Sequence, residues 1–238
     1  MPNAGKDLQS PASAAEVDAF LRQVAQTPAR PSGGTRGRLI FAMDATASRE
    51  PTWDQAAHIQ ASMFAETRDL GGLEVQLCHY GGFHLFEASP WCVSADELLP
   101  RMTRVRCAAG LTQIGRLLAH AADEAARKPV DALVFVGDCV EESLDGLADR
   151  AGKLGLLGVP VFVFQEGRDP TAERALREIA RLSGGAWCPF DAGSPQVLKD
   201  LLGAVAVFAA GGRKALADFS RRRGGAVLQL TRQLGQGR

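Results

Sequence analysis

Arg38-Leu-Ile-Phe-Ala-Met-Asp-Ala-Thr-Ala-Ser48 decides how this chain folds. Leu39 to Met43 is a short apolar run of the kind that forms a buried strand in a parallel sheet. It ends on Asp44, and Thr46 and Ser48 follow at alternate positions. A carboxylate and two hydroxyls are thereby delivered to the C-terminal end of a central strand, where open α/β sheets place their sites. They are hard oxygen donors, the kind Mg²⁺ prefers. The same residue types also cap helices, so the stretch alone reads equally as a strand followed by a capped helix.

Working outward, the chain alternates strands with helices. Ser13-Ala-Ala-Glu16 is a capping-box signature, and Val17, Phe20, Leu21 and Val24 give the helix behind it an apolar side. Thr27 to Gly37, rich in Pro, Gly and Arg, reads as a linker or surface loop. Thr52-Trp-Asp-Gln55 is read as a second capping box, opening a helix from about Trp53 to Leu70 that Gly71-Gly72 stops. Leu73, Val75 and Leu77 alternate with polar residues as in a strand, and Tyr80-Gly-Gly82 turns towards a hairpin partner around Phe83 to Phe86.

A short helix is expected over Ser94 to Thr103, and a strongly periodic one after Thr112 carries Ile114, Leu117, Leu118, Ala121 and Ala122. Ala132 to Val136 is the most strand-like run, closed by Gly137-Asp138. A strand (Val159 to Phe164), a helix (Pro170 to Leu182), a brief strand near Ala186 and a helix opening at Ser194-Pro195 complete the series. This order predicts an α/β protein with a doubly wound, mostly parallel central sheet and helices on both faces. Residues 1–37 form an N-terminal extension with a short helix and linker, 38–210 the domain, and 211–238 a basic tail.

Composition excludes several classes. The 238 residues carry 27 basic and 27 acidic side chains, so no whole-molecule field favours nucleic acid or an anionic membrane. Seven of the bases lie from Gly212 onward against one acid, which leaves the body mildly acidic. The cluster Arg221-Arg-Arg223 reads as a solvated tail or a docking element for an acidic surface, and it lacks the aromatic interleaving of a nucleic-acid site. Five scattered cysteines without a CxxC pair suit free thiols in a reducing compartment. With no cationic leader ahead of an apolar run, the expected location is cytoplasmic, away from membranes.

Asp44-Ala-Thr46-Ala-Ser48, Thr112 in Gly110-Leu-Thr-Gln-Ile114, and Asp138 resemble the von Willebrand factor A domain and its metal-ion-dependent adhesion site. That family carries Asp-x-Ser-x-Ser, then a Thr, then an Asp, on three successive loops. Here Thr46 replaces the first Ser and keeps its hydroxyl, while Asp-Cys stands where Asp-Gly is usual. Gly158 to Val163 and Leu176 to Gly185 resemble the family's late strand and helix, so the likeness runs from about Arg38 to Phe208. The resemblance implies Mg²⁺ (or Mn²⁺ or Ca²⁺) ligated by Thr46, Ser48 and Thr112, with Asp44 and Asp138 ligating or holding waters. It implies an open coordination position for an Asp or Glu of a protein partner. Intracellular members of the family commonly serve as adaptors, often beside ATPases.

Catalysis is not expected, because no His or Lys lies in the three segments to act as acid or base. Two rival readings remain. One is the same fold with a metal site too weak to matter, acting as a metal-independent interaction protein. The other is a haloacid-dehalogenase-like phosphatase with Asp44 as nucleophile, since Lys128 and Gly137-Asp-Cys-Val-Glu-Glu142 resemble motifs of that family. Thr46 stands where that chemistry needs its general acid. A zinc site from Cys78, His79, His84 and Cys92 matches no usual spacing, and strand alternation puts Cys78 and His79 on opposite faces.

Overall fold

The apolar run is a strand, β1 (Gly37–Asp44), and all eight of its residues are buried. The computed structural model describes residues 13–28, 36–46, 50–82, 84–190 and 195–234. The other strands are β2 (Leu73–Gly81), β3 (Leu85–Ala88), β4 (Ala132–Gly137), β5 (Val161–Glu166) and β6 (Ala186–Phe190). They form one six-stranded sheet ordered β3-β2-β1-β4-β5-β6. Every pairing is parallel except that of β2 with β3, which form the expected hairpin.

A strand buried on both faces has no polar side to show, which is why β1 reads as continuous rather than alternating. Leu39, Phe41 and Met43 enter one apolar layer and Ile40 and Ala42 the other. The helices are α1 (Ala14–Gln26), α2 (Glu50–Thr67), α3 (Ala95–Met102), α4 (Ile114–Arg127), α5 (Leu144–Leu156), α6 (Pro170–Ser183) and α7 (Pro195–Leu234). α1, α2, α3 and α7 bury their apolar residues in the first layer, and α4, α5 and α6 in the second. The doubly wound α/β architecture is therefore present.

α1 begins at its capping box, with the Ser13 hydroxyl accepting from the Glu16 N–H and the Glu16 carboxylate accepting from the Ser13 N–H. It docks on the sheet: Phe20 meets Phe164 edge-on with ring centroids 5.3 Å apart. The second proposed capping box is corrected. α2 already starts at Glu50, so Thr52 lies inside the helix, and its hydroxyl donates to the buried Glu166 carboxylate at 2.5 Å. A tertiary partner wins over the local cap.

α7 approaches β1 closely. A Cβ on Gly37 would lie 2.3 Å from the Ala209 carbonyl oxygen, so only glycine fits there. The helix is kinked at Gly212, where φ is 67°. Beyond the kink, Arg213 donates to the Gln26 and Thr27 carbonyls that end α1, a favourable place for a cation. Ala215, Leu216 and Phe219 then return to the first core layer, so packing continues past Ala210. Ser194 and the side chains of Arg221 to Arg223 lie outside the described residues. Among the described residues no helix is long and apolar enough to cross a membrane.

Candidate metal centre

Asp44 is the last residue of β1 and is 1% exposed. The Thr46 N–H donates to its Oδ1 at 2.8 Å, while the Trp53 indole N–H donates to the Asp44 carbonyl at 2.9 Å. These bonds fold the chain back at the strand end and fix the carboxylate's orientation. Thr46 is half-buried beside it. Ser48, the third member of the first segment, lies outside the described residues.

The loop carrying Thr112 is tied directly to this turn. The Ala108 N–H donates to the Ala45 carbonyl at 2.9 Å, and the Gly82 N–H to the Ala108 carbonyl at 3.3 Å. Gly110 is forced by the same contact: a Cβ there would sit 2.0 Å from the Gly82 carbonyl oxygen. Thr112 is buried, and its N–H donates to Glu141 Oε2 at 2.9 Å while its Oγ1 accepts from the Glu141 N–H at 3.1 Å. Asp138, half-buried, follows directly after β4, at the head of the loop that supplies Glu141. The structure thus brings Asp44, Thr46, Thr112 and Asp138 to the C-terminal end of the sheet, on loops that bond to one another.

Glu141 and Glu142 were missed as parts of this edge, having been read only as a phosphatase-like motif. The Glu142 carboxylate accepts from the Ile114 and Gly115 N–H groups at 2.5 and 2.9 Å. Gln113 makes no side-chain cap on α4, so this distant carboxylate satisfies the first amides and meets the positive end of the helix. A strongly periodic helix without its own cap, followed by an acidic doublet after the next strand, was the available signal.

Tyr80 was read only as part of a turn. It pairs in register with Asp44 across β2 and β1, and its ring stacks on Phe135 at 6.2 Å between centroids. It is 1% exposed, and its hydroxyl has no hydrogen-bond partner among the described residues. A buried polar group left without a partner costs about 1–3 kcal/mol. Burial holds the phenol well above its ordinary pKa of 10.0, and the charges of Asp44, Glu142 and Asp138 push it further the same way.

By donor chemistry the set suits a hard divalent cation: Asp44 and Asp138 carry carboxylates and Thr46 and Thr112 hydroxyls, on loops at one end of the sheet, near a buried phenol that finds no partner among the described residues. Among the described residues no three His, Cys, Asp or Glu side chains group as metal ligands. An adhesion-site set does not need three, since hydroxyls supply the rest. The rival sites fare worse. Lys128 binds Glu74 at 3.1 Å, at the start of β2 and roughly 20 Å of strand away from Asp44, so it cannot serve an Asp44 nucleophile. Cys78 is buried under α4 and Cys92 in the opposite layer, while His79 packs edge-on against Trp53 at 5.8 Å, so no zinc cluster forms from these three.

No family model and no curated protein sequence matches the chain. Solved structures do resemble it. A von Willebrand factor type A protein from Catenulispora acidiphila is 17% identical with a TM-score of 0.57, over 73% of this chain and 43% of that one. The SpRpn10 VWA domain is 13% identical with a TM-score of 0.55, over 71% of this chain and 94% of that domain. Proximal thread matrix protein 1 from the mussel byssus, with zinc in its adhesion-site motif, is 13% identical with a TM-score of 0.53 over 72% of this chain and 46% of that protein. The chain spans less than half of the first and third of these. Its fold is that of a von Willebrand factor A domain.

Proposed function

We propose that this chain is a protein-interaction domain that holds a divalent cation, Mg²⁺ or a similar ion, and uses it to capture a carboxylate of a partner protein. The observation that carries the reading is the linkage of the three loops. Asp44 and Asp138 come from two strand ends and Thr112 from the loop before α4, and the Ala108–Ala45 and Glu141–Thr112 bonds draw their loops together. Thr46, Ser48 and Thr112 would ligate directly, with Asp44 and Asp138 ligating or holding waters. When bound, the ion would supply a positive centre for an anionic oxygen of the partner.

Electrostatics makes the ion necessary to this reading. Asp44, Asp138, Glu141 and Glu142 crowd one edge, and their field repels an Asp or Glu of a partner until a dication offsets it. Among solved structures of similar fold is the SpRpn10 VWA domain. An adaptor role in an ATPase-linked assembly, and a cytoplasmic location, are part of the proposal. Cys78, Cys92 and Cys188 as buried free thiols support a reducing compartment.

One observation favours the metal-independent alternative: the Thr112 hydroxyl already accepts a hydrogen bond from Glu141. Water-proton relaxation of bound Mn²⁺ separates the readings. Metal-stripped protein is expected to bind Mn²⁺ saturably, and an aspartate-containing peptide to lower the relaxation enhancement by displacing a metal-bound water. Asp44→Ala should lose both effects while staying folded. Binding of Mn²⁺ without any response to the peptide would reject carboxylate capture, and absence of Mn²⁺ binding would reject the metal itself.

A further inference from the structure

Among the described residues, the Tyr80 hydroxyl is a buried group at this end of the sheet without a hydrogen-bond partner. Tyr80 lies beside Asp44 on the neighbouring strand, in register, and both follow the alternation that carries Ile40, Ala42 and Cys78 towards α4 and α5. Its ring is fully packed, stacked on Phe135. Phenylalanine would fill the same space without burying a hydroxyl. A buried tyrosine hydroxyl ordinarily finds a partner, yet none of the described residues provides one. The charges of Asp44, Glu142 and Asp138, from three different segments, are felt at the phenol.

We propose that the Tyr80 hydroxyl belongs to the metal site as a positioning residue, donating a hydrogen bond to a water of the ion's hydration shell and so orienting the waters that Asp44 and Asp138 hold. This inference rests on the metal-binding reading above. A phenol suits the task because it donates a proton while staying neutral, adding no charge to an edge that already carries several. The register of β1 and β2 supplies the placement: the pair Asp44–Tyr80 is the last rung of their ladder, level with the site.

The test is Tyr80→Phe in the full chain, by calorimetric titration of metal-stripped protein with Mn²⁺ and by thermal unfolding without metal. The expected result is an affinity about tenfold weaker, the scale seen when outer-shell hydrogen bonds to metal sites are removed. The metal-free variant should melt at or above the wild-type temperature, since an unpartnered hydroxyl has been removed. A structural hydroxyl would give the reverse pattern, with lower metal-free stability and unchanged affinity, and would overturn the inference. Tyr80 is the sole tyrosine of the chain, so the metal-induced ultraviolet difference spectrum of the wild type should contain a tyrosine band. Its absence on saturation would also overturn the inference, whether or not the variant folds. Equal Mn²⁺ affinity in both proteins rejects the role of Tyr80 alone; no binding by the wild type rejects it together with the metal site.

Discussion

The two ends of the sheet treat charge in opposite ways. At the N-terminal end of β1, acids and bases close on one another. Arg38 is 5% exposed, donates to the Lys128 and Pro129 carbonyls, sits 3.7 Å over the Trp91 ring, and lies 3.3 and 3.5 Å from Glu74 and Glu124. Its Nε meets Glu74 as an ion pair rather than an aligned hydrogen bond. Trp91 and Arg127 complete the Glu124 carboxylate at 2.8 and 2.7 Å. At the C-terminal end, Asp44, Glu141 and Glu142 accept instead from the backbone amides of Thr46, Thr112, Ile114 and Gly115. Amides orient carboxylates without cancelling their charge. One end is built to hold the fold together, and the other gathers a negative field that a cation can answer.

Changes at the N-terminal end should therefore cost stability and spare the metal site. The largest loss is expected on deleting residues 212–238, which removes Arg213 from the end of α1 and Leu216 and Phe219 from the core. Loss of a buried Phe and Leu costs on the order of 5 kcal/mol together, comparable with the whole stability of many domains. Urea unfolding should show a much lower midpoint, and any protein still folded should bind metal as before. Arg38→Ala should cost about 1–3 kcal/mol, because the Lys128 and Pro129 carbonyls lose their donor while Glu74 and Glu124 keep only Lys128 and Arg127 as cations. If either change weakened metal affinity at native-like stability, the two ends would be coupled and the contrast would fail.

At the other end the balance reverses. Glu142→Gln should cost about 1 kcal/mol by weakening the carboxylate cap on α4, with a measurable loss of metal affinity through the Thr112 loop. The smallest effect is a pH response of stability. Burial lowers the pKa of His79 and His120 below 6.5, so the folded state keeps both rings neutral where the unfolded chain would protonate them. That stability is complete above pH 6.5 and is lost as the pH falls through the depressed folded values. Unfolding midpoints measured downward from neutral pH should fall accordingly, and His79→Gln should flatten part of the slope.

Much of this was legible because the governing interactions are local or periodic. Leu39 to Met43, the stripe from Ile114 to Ala122 and the capping box at Ser13 all follow from short-range patterning. Thr46, Thr112 and Asp138 could be tied to Asp44 only because their spacing resembled a known site. Partners distant in sequence were not legible. Thr52 has the sequence context of a local cap, while its hydroxyl bonds Glu166, 114 residues on. Glu142 caps a helix that starts 28 residues before it. In the tail, Ala215, Leu216 and Phe219 make too short a stripe to be read locally, because their burial needs a core built by the rest of the chain.

The most direct test of the central claim is a calorimetric titration of metal-stripped protein with Mg²⁺ and Mn²⁺, beside Thr112→Ala. Saturable binding by the wild type, weakened at least about tenfold in a variant that remains folded, is the predicted result. Equal binding by both proteins, or binding by neither, would contradict the proposed metal centre of Asp44, Thr46, Ser48, Thr112 and Asp138.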